Sequence, residues 1–516
     1  MRPLQVAASA KPPVHDTTHT PRADERPTPR LLVASNELPW ALESSGAHAP
    51  WQLRTTYGGL VSGLRPVLES RGGVWLGATG AASDGRPSGG VLIERDAPYS
   101  LRAIELDEAE IRDYERGFSN QVLWPMFHGL PDHSLIEADY WPVYGRVNRK
   151  FARELAELHR EGDLVWVQDY PLLLVGRELR ALGITAGVAF FLHTPFPPPE
   201  LFFRIPWAEE LLDALAAYDL VGFQTERHVA NFLACIRRLD PDPELGAGHP
   251  VMTLGARFDG GALRRYRVGA FPIGVDFYDI ARAAGEAEVT ERVRALRRSL
   301  GERKLLLGVD RLDYTKGVRH KLKAFAALLE RHPEWQGKAV LAQVVIPSRE
   351  GIPAYDQLKL DIEGLVGEIN GRFSKPGWIP VLYRYRPLEA RELLVHYRLA
   401  DAMAVTPLED GMNLVSKEYC AANVEQSGAL VLSRFAGAAA QLADGALMVN
   451  PWDELGLAEA FHRALTLEPE ERRQRMERLR STVRNEDVFH WAGGFLKAAL
   501  ATLPGDGARP KPPLAH

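Results

Sequence analysis

Ala402-Met403-Ala404-Val405-Thr406-Pro407-Leu408-Glu409-Asp410-Gly411-Met412-Asn413-Leu414-Val415-Ser416-Lys417-Glu418 reads as a strand, a tight loop and the start of a helix. Ala402–Val405 is apolar without alternation, the pattern of a strand covered on both faces. Pro407 and Gly411 interrupt it, and helical sequence resumes near Asn413. The backbone amides of Asn413 and Leu414 then lie at a helix N-terminus, a natural seat for a diphosphate. Asp410 in the loop is placed to accept from sugar hydroxyls, and Glu418, one turn into the helix, from ribose hydroxyls. Either carboxylate alone would also suit a capped helix; the string from Thr406 to Glu418 as a whole points to a nucleotide-sugar.

The same strand–loop–helix alternation runs outward through the chain. Apolar runs occur at Leu31–Ala34, Val74–Gly77, Leu164–Val167, Val188–Leu192 and Leu220–Phe223. A second series follows at Lys304–Val309, Val340–Ile346, Ile379–Tyr383, Ala402–Val405, Ala429–Leu432 and Ala446–Val449. Helical periodicity fills the gaps, as in Val147–Arg160 and Leu322–Arg331. Buried strands separated by helices imply parallel sheets, and two series imply an α/β chain of two Rossmann-like, doubly wound domains. The boundary is expected in Arg267–Asp276, giving residues 31–272 and 273–485. Leu245–Gly261 reads as a surface loop or hairpin, and Glu486–Leu503 as a final amphipathic helix packing back on the first domain. Residues 1–30 and 504–516, rich in Pro and polar groups, read as disordered tails.

Composition narrows the functions. The 516 residues are 46% hydrophobic with a formal net charge of −5, so no bulk field draws in nucleic acid or an anionic membrane. No apolar run is long enough to span a bilayer, and the N-terminus has no signal-peptide core. The two cysteines, Cys235 and Cys420, form neither a disulfide framework nor a zinc pattern, which fits a reducing cytoplasm.

Further candidates sit at other strand ends, where ligands of such sheets bind. Val309-Asp310-Arg311-Leu312-Asp313-Tyr314-Thr315-Lys316-Gly317 places Arg311 and Lys316 to clamp a diphosphate, Arg as a planar fork and Lys as a point charge. Phe190-Phe191-Leu192-His193-Thr194-Pro195-Phe196-Pro197 offers His193 to a sugar hydroxyl. Val165-Trp166-Val167-Gln168-Asp169-Tyr170 offers Asp169 to an incoming hydroxyl, though it would equally cap a helix. Tyr57-Gly58-Gly59-Leu60 permits close backbone approach to a ligand. Pro347-Ser348-Arg349 offers Arg349 to a phosphate, and Trp124, in Phe118-Ser119-Asn120-Gln121-Val122-Leu123-Trp124-Pro125, a face for a sugar.

In combination, FFLHTPFP, RLDYTKG and DGMNLVSKE resemble the trehalose-6-phosphate synthase family, retaining glucosyltransferases of GT-B fold, from about Leu31 to Trp491. The resemblance implies two domains facing across a cleft and transfer of glucose from UDP-glucose, or another nucleoside-diphosphate glucose, to glucose 6-phosphate. It implies no cofactor and no metal. Arg311, Lys316 and the Leu414 amide would hold the diphosphate, and Glu418 the ribose. His193 and Asp410 would hold the donor glucose, with Met412, Asn413 and Val415 beside it. Gly59 would close on the donor phosphates. Asp169 and Trp124 would face the acceptor, and Arg349 its phosphate. The leaving phosphate would take the acceptor's proton, with no protein nucleophile. A homo-oligomer and a separate downstream phosphatase are further expectations, since no phosphatase-like domain follows Leu503.

The acceptor half departs from that pattern. Ser35-Asn36-Glu37 has a glutamate where the family has an arginine for the acceptor phosphate. Ala78 follows Gly77 in place of a tryptophan, Glu115 replaces a tyrosine, and Gln168-Asp169-Tyr170-Pro171 replaces His-Asp-Tyr-His. A carboxylate about 5 Å from one phosphate charge costs about 3 kcal/mol at an effective dielectric of about 20. Either Arg54 restores the positive charge, or the acceptor differs: glycerol 3-phosphate, another polyol or sugar, or an amine-bearing molecule that prefers Glu37. A non-catalytic nucleotide-sugar-binding paralogue is the alternative from another class.

Overall fold

The computed structural model describes residues 29–43, 52–55, 59–82, 91–93, 98–258, 261–349 and 351–503. The expected tails lie outside the described residues apart from Pro29 and Arg30, the latter paired with Asp163 at 2.7 Å.

The first sheet holds ten strands among the described residues. Its parallel part runs, across the sheet, Tyr99–Leu106, Gly73–Ala82, Leu31–Glu37, Leu164–Gln168, Val188–Phe191, Leu220–Phe223 and Arg264–Ala270. In chain order that is 3-2-1-4-5-6-7, so the order reverses between Leu31–Glu37 and Leu164–Gln168. The second sheet is all parallel: Val381–Tyr385, Ala339–Ile346, Lys304–Arg311, Ala402–Val405, Ala429–Ser433 and Leu447–Val449. Its order, 3-2-1-4-5-6, reverses between Lys304–Arg311 and Ala402–Val405. Ligands of doubly wound sheets bind in the crevice beyond the strand ends at such a reversal. The four strands at the two reversals end at Glu37, Gln168, Arg311 and Val405, next to the residues singled out from sequence.

The strand Ile379–Tyr383 expected from sequence begins instead at Val381. Pro380 has no N–H to pair, although its carbonyl still accepts from Leu341 N–H at 2.8 Å. Leu245–Gly261 contributes an antiparallel hairpin, Glu244–Leu245 with Val251–Ala256, beside Arg264–Ala270. The final helix, Val488–Leu500, lies on the first sheet. Its Phe495 ring stacks on Trp166 at 4.8 Å and Trp491 packs at 5.2 Å, so the chain crosses between domains twice. Among the described residues, no helix is long and apolar enough to cross a membrane.

Candidate active site

The helix Leu414–Ala422 starts where the sequence indicates, with Asn413 as N-cap accepting from Ser416 N–H. The amides of Leu414 and Val415 in its first turn have no intrahelical carbonyl behind them. The loop ahead of it lies against the other domain. A Cβ on Gly411 would sit 1.9 Å from the His193 carbonyl oxygen, so only glycine permits this approach. Asp410 accepts from Lys316 Nζ at 2.7 Å and Asn413 Nδ2 at 3.1 Å. Burial pushes the Asp410 carboxyl up, but the charge and hydrogen bond of Lys316 outweigh it and hold it below the usual range. Arg311 stands exposed at its strand end. Glu418 accepts from Tyr397 OH at 2.9 Å. The Met412 side chain is buried, and its carbonyl accepts from Ala438 N–H at 2.8 Å. Gly59 opens the helix Gly59–Arg71.

Trp124 forms the floor between the domains. The Arg349 guanidinium lies 3.8 Å from its ring centroid, with Arg311 at 5.7 Å and Lys316 at 5.9 Å. One buried indole thus faces three cations, a favourable arrangement for its π-face. Trp124 is covered by these cations and only 5% exposed. Arg349 donates to Asp313 at 3.3 Å and to Tyr170 OH at 3.2 Å, and contacts Tyr355 OH. Burial raises Asp313, but Arg349, Lys316 and Arg311 together bring it below its ordinary value.

Residues Ile111–Leu123 wind as a π-helix that runs into Trp124–Phe127. With i→i+5 hydrogen bonds, residues about four to five apart share a face. That winding brings Glu115, Asn120 and Trp124 to one side, which an α-helical reading would scatter. Glu115, Arg116, Asn120, Ser348 and Arg349 line a pocket of about 340 Å³. Burial and the Glu37 charge push the Glu115 carboxyl up to about 7. Glu37, open to the cleft, is also raised by the protein around it, against the pull of Arg311 and Arg349. The charge reversal at Glu37 is therefore partly answered by arginines from the second domain. Arg54 lies on the strand Gln52–Thr55 opposite Ala41; its side chain is outside the described residues.

His193 lies two residues past the strand Val188–Phe191. Its Nε2 lies 2.9 Å from Gln168 Oε1 and its Nδ1 3.4 Å from Gln224 Nε2. Gln224 Oε1 accepts from Ile273 N–H at 3.0 Å, which leaves its NH₂ to donate to Nδ1 and Nε2–H to donate to Gln168. Burial lowers the imidazole to about 3, so it is neutral, and both ring nitrogens are engaged by protein. Asp169 accepts from His193 N–H at 3.0 Å. Its φ of 68° and ψ of 169° fall in a region normally left to glycine, and burial raises its carboxyl to about 6 despite backbone hydrogen bonds.

The sequence reading missed Asp313, Tyr170, Gln224 and His128. The first two lie inside quoted strings, and Gln224 is the first residue past a buried strand, as Asp169 is. His128 is buried against Trp124 with ring centroids 4.0 Å apart, and donates from Nδ1 to the Trp124 carbonyl at 2.7 Å. Burial and nearby Lys316 lower it to about 4. A hollow of about 420 Å³ along the edge strand Val381–Tyr385 is lined mainly by apolar groups such as Val366, Ile379 and Leu382. His332, Glu334 and His462 have ligating atoms within 4.8 Å, but His332 and Glu334 precede the strand Ala339–Ile346, at the opposite end of the second sheet, and His462 lies within the helix Glu454–Thr466. Trp335 Nε1–H donates to His462 Nδ1 at 3.0 Å, which takes that nitrogen from a metal.

The family model for glycosyltransferase family 20 matches residues 29–500. A trehalose-6-phosphate synthase of Mycolicibacterium smegmatis is 41% identical over 482 residues, covering 92% of this chain and 93% of the relative. A bifunctional trehalose-6-phosphate synthase/phosphatase of Thermoproteus tenax is 38% identical over 487 residues, 92% of this chain; the chain spans 64% of that relative's length. Among solved structures, an α,α-trehalose-phosphate synthase (UDP-forming) of Burkholderia xenovorans in complex with glucose-6-phosphate superposes with a TM-score of 0.83 at 37% identity, covering 91% of this chain and 99% of that one. An Escherichia coli trehalose-6-phosphate protein bound with UDP-2-fluoro glucose gives a TM-score of 0.83 at 34% identity, covering 92% and 100%.

Proposed function

The chain belongs to glycosyltransferase family 20, and from that premise we propose that it transfers glucose with retention from UDP-glucose to glucose 6-phosphate, forming trehalose 6-phosphate. One observation carries the reading: Arg311 and the Lys316–Asp410 pair stand at the reversal point of the second sheet, facing Asp169 at the reversal point of the first. The bond from the glucose anomeric carbon to the β-phosphate oxygen breaks, and its electron pair goes to that oxygen. The acceptor oxygen bonds the same face of that carbon, and its proton passes to the departing phosphate. Arg311, Lys316 and the amides of Leu414 and Val415 neutralise the charge that develops. Asp169, ionised above about pH 6, orients the hydroxyl.

On this reading protein groups supply the neutralising charge, so a chelator is expected to leave turnover unchanged. Both substrates are cytoplasmic metabolites, and the protein is assigned to that compartment. A second reading has the same donor chemistry with another acceptor, and Glu37 and Glu115 favour it because they bring negative charge to the acceptor pocket. The test is nucleotide release from UDP-glucose and GDP-glucose against glucose 6-phosphate, glycerol 3-phosphate, free glucose and no acceptor, with products weighed by mass spectrometry. Release with glucose 6-phosphate alone supports the first reading; release only with another acceptor supports the second. Nucleotide binding without release would overturn both.

A further inference from the structure

The two chain crossings between the domains meet at one residue, Ile273, whose two flanking peptide units are each held. Ile273 donates its N–H to Gln224 Oε1 at 3.0 Å in the first domain. Its carbonyl accepts from Lys417 Nζ at 2.6 Å in the helix Leu414–Ala422. Lys417 Nζ also donates to Gln441 Oε1 at 2.6 Å, and Gln441 contacts Glu486 on the returning segment. Outgoing and returning segments touch directly: Val488 N–H donates to the Val275 carbonyl at 3.1 Å, and a Cβ on Gly274 would sit 2.2 Å from the Asp487 carbonyl carbon. Lys417, Ile273 and Gln224 are each at most 2% exposed.

We propose that Lys417 is a positioning residue: with Gln224 it fixes the backbone on both sides of Ile273 and so sets the angle at which the donor helix Leu414–Ala422 faces His193 and Asp169. The assignment of that angle to glucosyl transfer rests on the function proposed above; the joint itself does not. A domain rotation about this crossing must turn the backbone at Ile273. Turning it strains the bond to Gln224, whose other end holds His193 Nδ1, or the bond to Lys417, three residues past Leu414. The two halves of the cleft are thereby coupled through a residue that touches neither substrate. A lysine with no carboxylate in contact is costly to bury, and burial lowers this ammonium to about 7. A buried apolar side chain would pack here at lower cost, but it could not tie two crossings together.

The test measures interdomain distance by electron–electron resonance. Spin labels go on Glu161→Cys and Glu302→Cys, both exposed, while the native Cys235 and Cys420 are buried. In the absence of substrate, Lys417→Met is expected to at least double the width of the distance distribution, and Gln224→Met to do likewise. The double variant is expected to be no broader than the wider single, because both act on the backbone of one residue, Ile273. A width unchanged by Lys417→Met, or broadening that adds in the double variant, overturns the proposal. Should Lys417→Met fail to fold, Gln441→Leu removes one of the two acceptors, and an unchanged width there overturns it equally. In the kinetic arm, Lys417→Met is expected to raise KM for UDP-glucose about tenfold with kcat changed less than threefold. Absence of turnover by the unmodified chain would sink the transfer reading and leave the distance result to judge the joint.

Discussion

Lys316→Met, alone and with Asp410→Asn, separates what the ion pair does for stability from what it does for transfer. The pair is 2.7 Å long, and its side chains are 9% and 13% exposed. Removing the ammonium leaves Asp410 with Asn413 Nδ2 at 3.1 Å as its remaining side-chain donor. Breaking a buried pair in this way costs about 3–5 kcal/mol, because the surviving charge is unpaired. The carboxyl answers by taking a proton, so its folded value rises from below the ordinary range and the loss is greatest above neutral pH. Replacing both partners removes the stranded charge and should recover stability to within about 1–2 kcal/mol. Transfer should not recover, since an electrostatic group facing developing charge is worth about 2.7–4 kcal/mol, or 10²–10³ in rate. Urea unfolding at pH 8, followed through the second domain's transition because the domains need not melt together, is paired with nucleotide release on the same preparations. Equal instability of the single and double variants, or a single variant within tenfold of wild-type turnover, would refute the reasoning.

Other outcomes follow from the same geometry. The folded Glu115 value, about 7, lies above its ordinary 4.5, so the folded state holds more protons between those values and stability falls as pH rises through them. Glu115→Gln should therefore gain about 1–2 kcal/mol above pH 7, after allowing for partial exposure, and nothing below about pH 4.5, read from urea midpoints across pH. Asp169→Asn should likewise gain stability above pH 6 while transfer falls at least a hundredfold; unchanged transfer would remove Asp169 from the reaction. Arg227 bridges the domains to Glu409 but is about half exposed, so Arg227→Ala should cost under about 1 kcal/mol in the same unfolding assay.

The architecture was legible because it follows from local pattern. Apolar runs bounded by Pro, Gly and polar residues mark the central strands of both sheets, and the residues just past their ends mark the cleft; Tyr99–Leu106, with polar residues alternating along it, and the arginine-rich Arg264–Ala270 carry no such run. Arg311, Lys316 and Asp410 came together for that reason. What sequence concealed depends on contacts between distant residues. Arg349 finds Tyr170, 179 positions away, and Glu115, Asn120 and Trp124 share a face only through a π-helix that no helical period of 3.6 signals. Nothing local to His193 shows that Gln168 and Gln224 engage its two ring nitrogens.

Four non-glycine residues among those described take positive φ, and three of them, Asp169, Arg349 and Asn413, line this cleft. Backbone strain of this kind costs about 1–3 kcal/mol per residue and persists where surrounding structure enforces it. At Asp169 a second cost coincides with the first, because burial opposes ionisation of the carboxyl held there. A fold under selection for stability alone would place glycine at that turn. Glu37 and Glu115 repeat the pattern without backbone strain: burial raises both carboxyls, and the Glu37 charge adds to the rise at Glu115, beside an arginine that is paired with Asp313. The donor half has its charges paired in advance, Lys316 with Asp410, ready to be exchanged for a diphosphate. The acceptor half carries negative charge that no described side chain neutralises by direct contact. Its preferred acceptor must either bring compensating positive charge or hydroxyl donors, or be held by Arg311 while the carboxylates stay protonated. The pH dependence of acceptor KM distinguishes these cases: a phosphorylated acceptor should bind more weakly as pH rises through 7, and a cationic one more tightly.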